Sequence, residues 1–462
     1  MPHNWIPNSS PDVKKELMKE LGINEILELF NDVPTKIILN KVLNVGFGKP
    51  LTEYEVRRLF NELISKNRLS SIPSFVGGGV CQHYVPSVVK AILSRPEFYT
   101  SYTPYQAEIA QGLLQAIFEY QSLIANLYGV KIVNASMYNG STASAEAVLM
   151  AARVKKKKKI LVSDCTHPEI VEVIKSWAFG ANLDIINVGM NSESGETDLS
   201  DLRSKLDGNT AAVFIQTPNF FGVVESALKE IIEETHKFDA LSIVYSNPLS
   251  LGVFEGPGNL GADIVVGDVQ GLGISLNYGG PSAGILGIND DKELLRQLPG
   301  RLIGATRTLS GDELGFTMIL QTREQHIKRE KATSNITTNS SLEAVGAAVY
   351  LTLLGSQGLK KLGETILGRT YYLIKRLLDT GVAEPLFSDS LYFREVSIKF
   401  QGGSADQIIK LLSSRGISIG PALSRFYKEL SKCSLVCVTE LHARKDIDAL
   451  VTVLEEVLRG VQ

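Results

Sequence analysis

Five short, almost wholly apolar segments rich in β-branched residues recur through the middle of the chain. They are KILVS (159–163), LDIINV (183–188), AAVFIQ (211–216), LSIVYS (241–246) and ADIVVG (262–267). Helical stretches separate most of them, and a long helix with one buried face is predicted before them, between Gln106 and Tyr128. Strands that are buried on both faces have this composition. We therefore predict an α/β fold with a large, mostly parallel sheet, covered on both faces by helices, in a domain at 71–330.

Two flanking regions have a different pattern. Residues 1–70 contain short amphipathic helical segments such as VKKELMKEL and no catalytic motif, which favours an arm that wraps a partner subunit. Residues 331–462 open with the apolar helical segment LEAVGAAVYLTLLG and continue with the strand-like segments FREVSIKF and SLVCVTEL. A helical segment between those strands ends at Gly416. This pattern predicts a smaller C-terminal α+β domain.

Composition excludes several classes of function. The 462 residues are 44% apolar and 21% charged, as in an ordinary globular protein, and the formal net charge is only −3. Nothing therefore favours binding to nucleic acid or to an anionic membrane. We find no apolar run of signal-peptide or membrane-span length, so we expect a cytoplasmic protein. The four cysteines show no metal-site spacing and are expected to be buried thiols.

Three local motifs each admit a functional and a structural interpretation. Gly140, Ser141 and Thr142 open a predicted helix, where free N–H groups form an anion site, although capping by Ser141 or Thr142 also explains them. In the same way, His167 suits a cofactor contact, but Thr166-x-x-Glu169 is also a capping box. The five lysines at 155–159 are typical of a solvated helix end.

Eight long segments, in order, carry a resemblance that extends over nearly the whole chain. They are SFVGGGVCQHYVP (74–86), YTSYTPYQAEIAQGLLQAIFEYQ (99–121), ASMYNGSTASAEA (135–147), QTPNFFGVVE (216–225), NPLSLGVFEGPGNLGADIVVGDVQGLG (247–273), YGGPSAG (278–284), LPGRLIGAT (298–306) and LQTREQHIKREKATSNITTN (320–339). Together they resemble the P-protein family, the glycine decarboxylase of the glycine cleavage system. That family joins two related halves, fused or as separate subunits, and this chain is similar to the separate N-terminal half, subunit 1.

The resemblance implies the aminotransferase-like fold of pyridoxal phosphate enzymes. Such enzymes hold the cofactor as a Schiff base on a lysine just past a sheet strand. No lysine occurs between Leu241 and Asp291, and Gln270 and Gly271 stand where one is expected. The resemblance therefore implies that this chain has no catalytic residue of its own, and that the partner subunit binds pyridoxal phosphate covalently. The family's reaction decarboxylates glycine and passes the aminomethyl group to the lipoyl arm of H-protein.

The same resemblance implies partners and contact residues. The partners are the lysine-bearing subunit 2 and lipoylated H-protein, in a heterotetramer with two copies of each subunit. The candidates for the interface active site are His83, Tyr102, Thr103, Gln106, Thr333, Ser334 and Asn335, with Gly140, Ser141 and Thr142 as a vestigial anion site. Two alternatives stay open: a catalytically silent scaffold or regulatory protein, and a stand-alone pyridoxal phosphate enzyme, against which the missing lysine argues.

Overall fold

The computed structural model describes residues 3–39, 41, 46–47, 50–67, 71–319 and 324–460. The start of the last family-like segment, 320–323, and the predicted arm boundary at 68–70 lie outside these residues. The chain forms two compact units, 1–69 and 70–462. The predicted division at 330/331 falls within the second unit and stays a prediction.

Within its described residues the first unit contains two α-helices, α1 (Pro11–Glu20) and α2 (Glu53–Ser65). Thr52 and Glu55 form a capping box at the start of α2, in which each side chain accepts the other residue's backbone N–H. None of the residues described between 3 and 67 is buried. Apolar side chains of both helices are therefore exposed to solvent, among them Leu17 and Phe60.

The second unit contains twelve α-helices within its described residues. They are α3 (Ser87–Leu93), α4 (Pro96–Tyr99), α5 (Gln111–Tyr128), α6 (Gly140–Lys155), α7 (Pro168–Ala181), α8 (Leu199–Lys205), α9 (Leu228–His236), α10 (Lys292–Gln297), α11 (Gln325–Lys328), α12 (Ser341–Thr380), α13 (Ala405–Ser414) and α14 (Arg444–Arg459). The strands are β1 (Phe75–Val76), β2 (Ile132–Val133), β3 (Lys159–Ser163), β4 (Asp184–Val188), β5 (Thr210–Thr217), β6 (Leu241–Ser246), β7 (Ile264–Asp268), β8 (Gly284–Ile288), β9 (Ile303–Arg307), β10 (Leu314–Met318), β11 (Ala383–Pro385), β12 (Glu395–Phe400), β13 (Ile419–Gly420) and β14 (Cys433–Cys437).

The main sheet has seven strands in the order β2-β8-β7-β6-β5-β3-β4. β3 to β7 run parallel, while β8 is antiparallel to β7 and β2 is antiparallel to β8. These five parallel strands coincide with the five predicted apolar segments to within two residues at either end. The prediction of a mostly parallel α/β sheet is confirmed.

Both faces of this sheet are covered by helices. On β5, Val213 and Ile215 pack in one core with α5 and α12, whereas Ala212 and Phe214 pack in another core with α6 and α7. Successive residues of a strand point to opposite faces, so this division follows from the strand geometry. It also explains why the strand segments are apolar without alternation.

A second, antiparallel sheet in the order β11-β12-β14 packs with α13, α14 and the C-terminal part of α12. α12 is long and apolar enough by composition to cross a membrane. However, it is interrupted at Gly355, which has φ +60°, and its buried residues extend from Ala344 to Leu377. We therefore interpret α12 as a core helix of the second unit.

The expectation of four free thiols is wrong for two of the cysteines. Cys81 and Cys437 form a disulfide, with their Cα atoms 6.1 Å apart. These residues are 356 positions apart in sequence, so their spacing gave no sign of the bond. Cys165 and Cys433 are free and buried, as expected.

Candidate functional site

A cavity of about 780 Å³ lies at the carboxyl ends of β5, β6 and β7. Gln216, Tyr245 and Asp268 line it at or near the ends of these strands. Ligands of open α/β sheets bind at this edge, where the loops after parallel strands leave a crevice. Further parts of the wall come from the starts of α6 and α7, from Gly78 and Gly79 of the glycine loop 77–79, from the loop 275–282 and from the start of β12.

The start of α6 is occupied by a carboxylate of the chain itself. The backbone N–H of Gly140 donates to Asp268 Oδ2 at 2.8 Å. The other carboxylate oxygen, Oδ1, accepts from Ser282 Oγ at 2.5 Å and from the backbone N–H of Gln270 at 2.9 Å. Burial raises the pKa of Asp268, and these hydrogen bonds act in the opposite direction.

Neither α6 nor α7 is capped by the residue that the sequence predicts. Asn139 caps α6, because its side chain accepts from the N–H of Thr142 at 2.8 Å, so capping by Ser141 or Thr142 is wrong. His167 caps α7, because its Nδ1 accepts from the N–H of Glu169, so the predicted Thr166 capping box is wrong. In both cases several adjacent side chains are competent to cap, and tertiary contacts decide which one does so.

His167 also joins two walls of the cavity. Its Nε2–H donates to the carbonyl oxygen of Gly78 at 3.1 Å, and its ring lies edge-on to Phe220, with the centroids 4.8 Å apart. With Nδ1 accepting at the start of α7, these contacts indicate the neutral tautomer that is protonated on Nε2. The imidazole is therefore held by the chain on both nitrogens.

The glycine loop is fixed by an ion pair. Gly78, at φ +67°, donates its N–H to Glu395 Oε1 at 2.6 Å. Glu395 Oε2 in turn pairs with Arg394 Nη2 at 2.9 Å. A Cβ on Gly77 would lie only 2.6 Å from Glu395 Oε1, so a side chain there would force this carboxylate to move.

His83 lies behind the cavity wall. Its ring is 3.7 Å from the position of a Cβ on Gly271, and its Nδ1 lies 2.9 Å from Glu440 Oε2. Burial lowers the pKa of His83, while the hydrogen bond from His83 holds the pKa of Glu440 below its ordinary value despite burial. The pair is therefore a neutral imidazole that donates to a carboxylate, with Nε2 facing Arg394 Nη1 at 3.4 Å.

The cavity does not fit a covalently held pyridoxal phosphate. Among the described residues that line it there is no lysine, and Gln270 and Gly271 are part of the wall. Gln270 directs its side-chain amide to the carbonyl oxygen of Ile274 at 3.2 Å. The described lining therefore offers no amine with which the cofactor could form a Schiff base.

The tyrosine-rich segment, residues 99–106, lies apart from this cavity lining. Tyr102 is 69% exposed and Gln106 is also exposed. Thr103 is buried and its Oγ1 lies 2.6 Å from Thr338 Oγ1. Tyr102 and Gln106 are thus open to a partner, while Thr103 connects this segment to the 332–339 segment.

Thr333, Ser334 and Asn335 border a different concave surface, of about 690 Å³. Ser334 Oγ donates to Glu146 Oε1 at 2.7 Å, and the carbonyl oxygen of Thr333 accepts from Arg153 Nη1 at 3.1 Å. Asn335 is exposed. The predicted site residues thus fall into three groups: Gly140, Ser141, Gln270 and Gly271 in the cavity wall with His83 behind it, the tyrosine-rich segment, and this second surface.

Sequence reasoning missed Asp268, Arg394, Glu395 and Glu440, which define the cavity and its supports. Their partners are far away along the chain: 128 residues separate Gly140 from Asp268, and 317 separate Gly78 from Glu395. No local pattern marks such pairs. The position of Asp268, two residues before Gln270 at the end of a predicted strand, was the one available signal.

Comparisons with known proteins agree with this geometry. The Glycine cleavage system P-protein family profile matches residues 3–454. A protein of Saccharolobus islandicus (strain L.S.2.15 / Lassen #1), described as probable glycine dehydrogenase (decarboxylating) subunit 1, is 49% identical over 100% of this chain and 99% of its own length. A protein of Staphylothermus marinus with the same description is 46% identical, over the same shares of the two chains.

Solved structures show the same relationship. An inhibitor-bound glycine decarboxylase (P-protein) of the glycine cleavage system superposes with a TM-score of 0.86 at 37% identity, covering 99% of this chain and 100% of that one. The aminotransferase-like fold of pyridoxal phosphate enzymes is thereby confirmed. The chain belongs to the glycine cleavage system P-protein family.

Proposed function

We propose that this chain is the non-catalytic subunit of a two-subunit glycine decarboxylase. In this account the complex decarboxylates glycine on pyridoxal phosphate and transfers the aminomethyl group to the lipoyl arm of H-protein. The chain acts only together with a lysine-bearing subunit 2, which holds the cofactor covalently. Its own contribution is to assemble with that subunit and to complete the walls of the shared active site.

One observation carries the proposal: the cavity at the carboxyl ends of the parallel strands has the position of a cofactor site but, in its described lining, no lysine. Full-length relatives described as subunit 1 support the same division of labour, since a first subunit implies a second. The fold and the family support pyridoxal phosphate as the cofactor of the complex.

The exposed apolar surface of the first unit supports its use as the arm that binds subunit 2. Its two helices bury no residue within the described chain, so their apolar faces are available to a partner. Tyr102, Gln106 and Asn335 are the exposed members of the predicted contact set, and we propose that they reach the active site of subunit 2. His83, Thr103, Thr333 and Ser334 are bonded within the chain, and we assign them the support of those contacts.

We further propose two copies of each subunit in the complex and a cytoplasmic location. The Cys81–Cys437 disulfide would be unusual at that location, because disulfides are rare in most cytoplasms. Counting free thiols in protein that is alkylated during cell lysis gives the state of this bond in the cell. Sedimentation of the reconstituted complex gives the subunit ratio.

Glycine–bicarbonate exchange, with lipoylated H-protein and pyridoxal phosphate, tests the function. The assay compares this chain alone, subunit 2 alone and an equimolar mixture. We expect exchange in the mixture only. Exchange by this chain alone would contradict the missing-lysine argument, and equal exchange by subunit 2 with and without this chain would favour the scaffold alternative. Subunit 2 with its cofactor lysine changed to alanine is the matched negative control.

A further inference from the structure

The start of α6 would be a suitable place to bind a phosphate, but the chain fills it with its own anion. Helix starts attract phosphate because their backbone N–H groups are free and the helix dipole is positive there. Here the Gly140 N–H is bonded to Asp268 and the Thr142 N–H is bonded to Asn139. These two donors are therefore not available to a ligand.

The same position is also crowded. A Cβ on Gly140 would lie 2.9 Å from the hydroxyl of Tyr245 and 3.1 Å from Cβ of Asp268. The Asp268 carboxylate is in turn held in place by Ser282 and by the N–H of Gln270. A phosphate group would have to displace a carboxylate that already has three hydrogen-bond donors.

The charge of the cavity wall opposes phosphate as well. Among the described residues of the lining, the charged side chains are three carboxylates, Glu169, Asp268 and Glu395, and one guanidinium, Arg394. Arg394 is already paired with Glu395. A phosphate monoester carries close to two negative charges at neutral pH, so it would meet repulsion and no free guanidinium.

We propose that Asp268 is a specificity-determining residue that keeps phosphate-bearing ligands out of this cavity. In the complex this would confine pyridoxal phosphate to subunit 2. That consequence rests on the proposed function, whereas the exclusion of phosphate is a property of this chain alone. The two can therefore fail separately.

The test uses the full-length chain and two ligands that differ only in a phosphate, pyridoxine and pyridoxine 5′-phosphate. Neither ligand has an aldehyde, so reaction with surface lysines does not interfere. Isothermal titration calorimetry measures both dissociation constants for the wild type, Asp268→Ser and Asp268→Asn. Asp291→Asn is the matched control, because Asp291 caps α10 through two backbone N–H groups and does not line the cavity.

We expect the wild type to bind pyridoxine 5′-phosphate no more tightly than pyridoxine. Asp268→Ser should tighten the phosphorylated ligand by about tenfold or more and leave pyridoxine unchanged, because it removes both the charge and the volume. Asp268→Asn should act in the same direction by a smaller factor, and Asp291→Asn should match the wild type.

Circular dichroism and thermal melting establish that each variant is folded. A folded Asp268→Ser that binds neither ligand, or that keeps the wild-type ratio of the two dissociation constants, would overturn the proposal. Should both variants fail to fold, the wild type decides: tighter binding of the phosphorylated ligand refutes the proposal, and equal or weaker binding supports it.

Discussion

The first unit and the cavity of the second unit differ in whether their side chains have partners within the chain. In the first unit no described residue is buried, and the apolar side chains of α1 and α2 are exposed. Around the cavity, by contrast, His83, His167, Asp268, Arg394 and Glu395 all have partners within the chain. The contrast teaches that the chain exposes apolar side chains in its first unit, whereas the polar side chains around the cavity are bonded within the chain.

The energetic consequences differ accordingly. Exposed apolar side chains add nothing to the stability of the isolated chain, but each can contribute about 1.5–3 kcal/mol when a partner buries it. The polar groups around the cavity, in contrast, are hydrogen-bonded within the chain and contribute to the stability of the isolated chain. Substitutions in the first unit should therefore change assembly, and substitutions around the cavity should change stability.

The largest effect is expected in the arm. Phe60→Ser with Ile64→Ser removes two apolar groups one turn apart on α2, which are 57% and 60% exposed. Affinity for subunit 2 should fall about 100-fold to 10,000-fold, because two buried side chains are lost from the interface. The melting temperature of the isolated chain should stay unchanged. Surface plasmon resonance and calorimetry measure the two quantities.

Arg57→Ser with Glu53→Ser is the matched control on α2, since it removes an exposed ion pair and no apolar surface. A Phe60/Ile64 variant that assembles normally but melts at a lower temperature would contradict the assignment of these side chains to assembly and not to stability.

The next effect concerns pH and lies in the second unit. Burial lowers the pKa of His442 to about 4, so the folded chain keeps this imidazole neutral while the unfolded chain takes up a proton below about pH 6.5. The contribution of the neutral His442 to the free energy of unfolding is complete above pH 6.5 and is lost as the pH falls toward 4. Across that window the wild type should lose about 3 kcal/mol of unfolding free energy relative to His442→Gln.

Urea titrations at several pH values measure this difference, and His236→Gln, at an exposed position, serves as the control. Stability curves for the wild type and His442→Gln that run parallel between pH 6.5 and 4 would rule out a buried neutral His442.

A smaller loss is expected at the support of the cavity wall. Glu440→Gln replaces the carboxylate that accepts from His83 and from the N–H of Tyr84. Hydrogen bonds to a buried charge contribute about 1.5–3 kcal/mol, so the free energy of unfolding should fall by about 2 kcal/mol. Glu53→Gln, which breaks the exposed pair with Arg57 on α2, should leave stability at the wild-type value. Equal losses of unfolding free energy for the two substitutions would contradict the proposed difference between the two regions.

The smallest effect sharpens the comparison, because Tyr102 belongs to the second unit but is exposed like the arm. Tyr102→Ala should leave the unfolding free energy within about 0.5 kcal/mol of the wild type and weaken binding to subunit 2 about tenfold. Tyr371→Ala, an exposed tyrosine on α12, is the control for both measurements. Wild-type affinity of the Tyr102 variant would remove this residue from the interface.

The fold was predictable because its signals are local. Each of the parallel strands is a short segment buried on both faces, and such segments are recognisable without knowledge of their neighbours. The absence of lysine around Gln270 was equally readable once the resemblance supplied the expected position. These observations led to the fold and to the central argument about function.

The details of the site were not predictable, because they depend on residues that meet only after folding. Asp268 lies 128 positions from Gly140, and Glu440 lies 357 positions from His83. The two cysteines of the Cys81–Cys437 disulfide are likewise far apart in sequence, by 356 positions. Capping errors had another cause: Asn139, Ser141 and Thr142 are all competent caps, and propensity does not choose among adjacent residues.

In the proposed division of labour, the cofactor amine belongs to subunit 2 and not to this chain. Borohydride reduction of the active, reconstituted complex fixes pyridoxal phosphate on whichever lysine carries it, and peptide mass spectrometry then identifies that lysine. The account predicts pyridoxyl-lysine on subunit 2 alone, at a level that follows exchange activity. A stoichiometric pyridoxyl-lysine on this chain would contradict it.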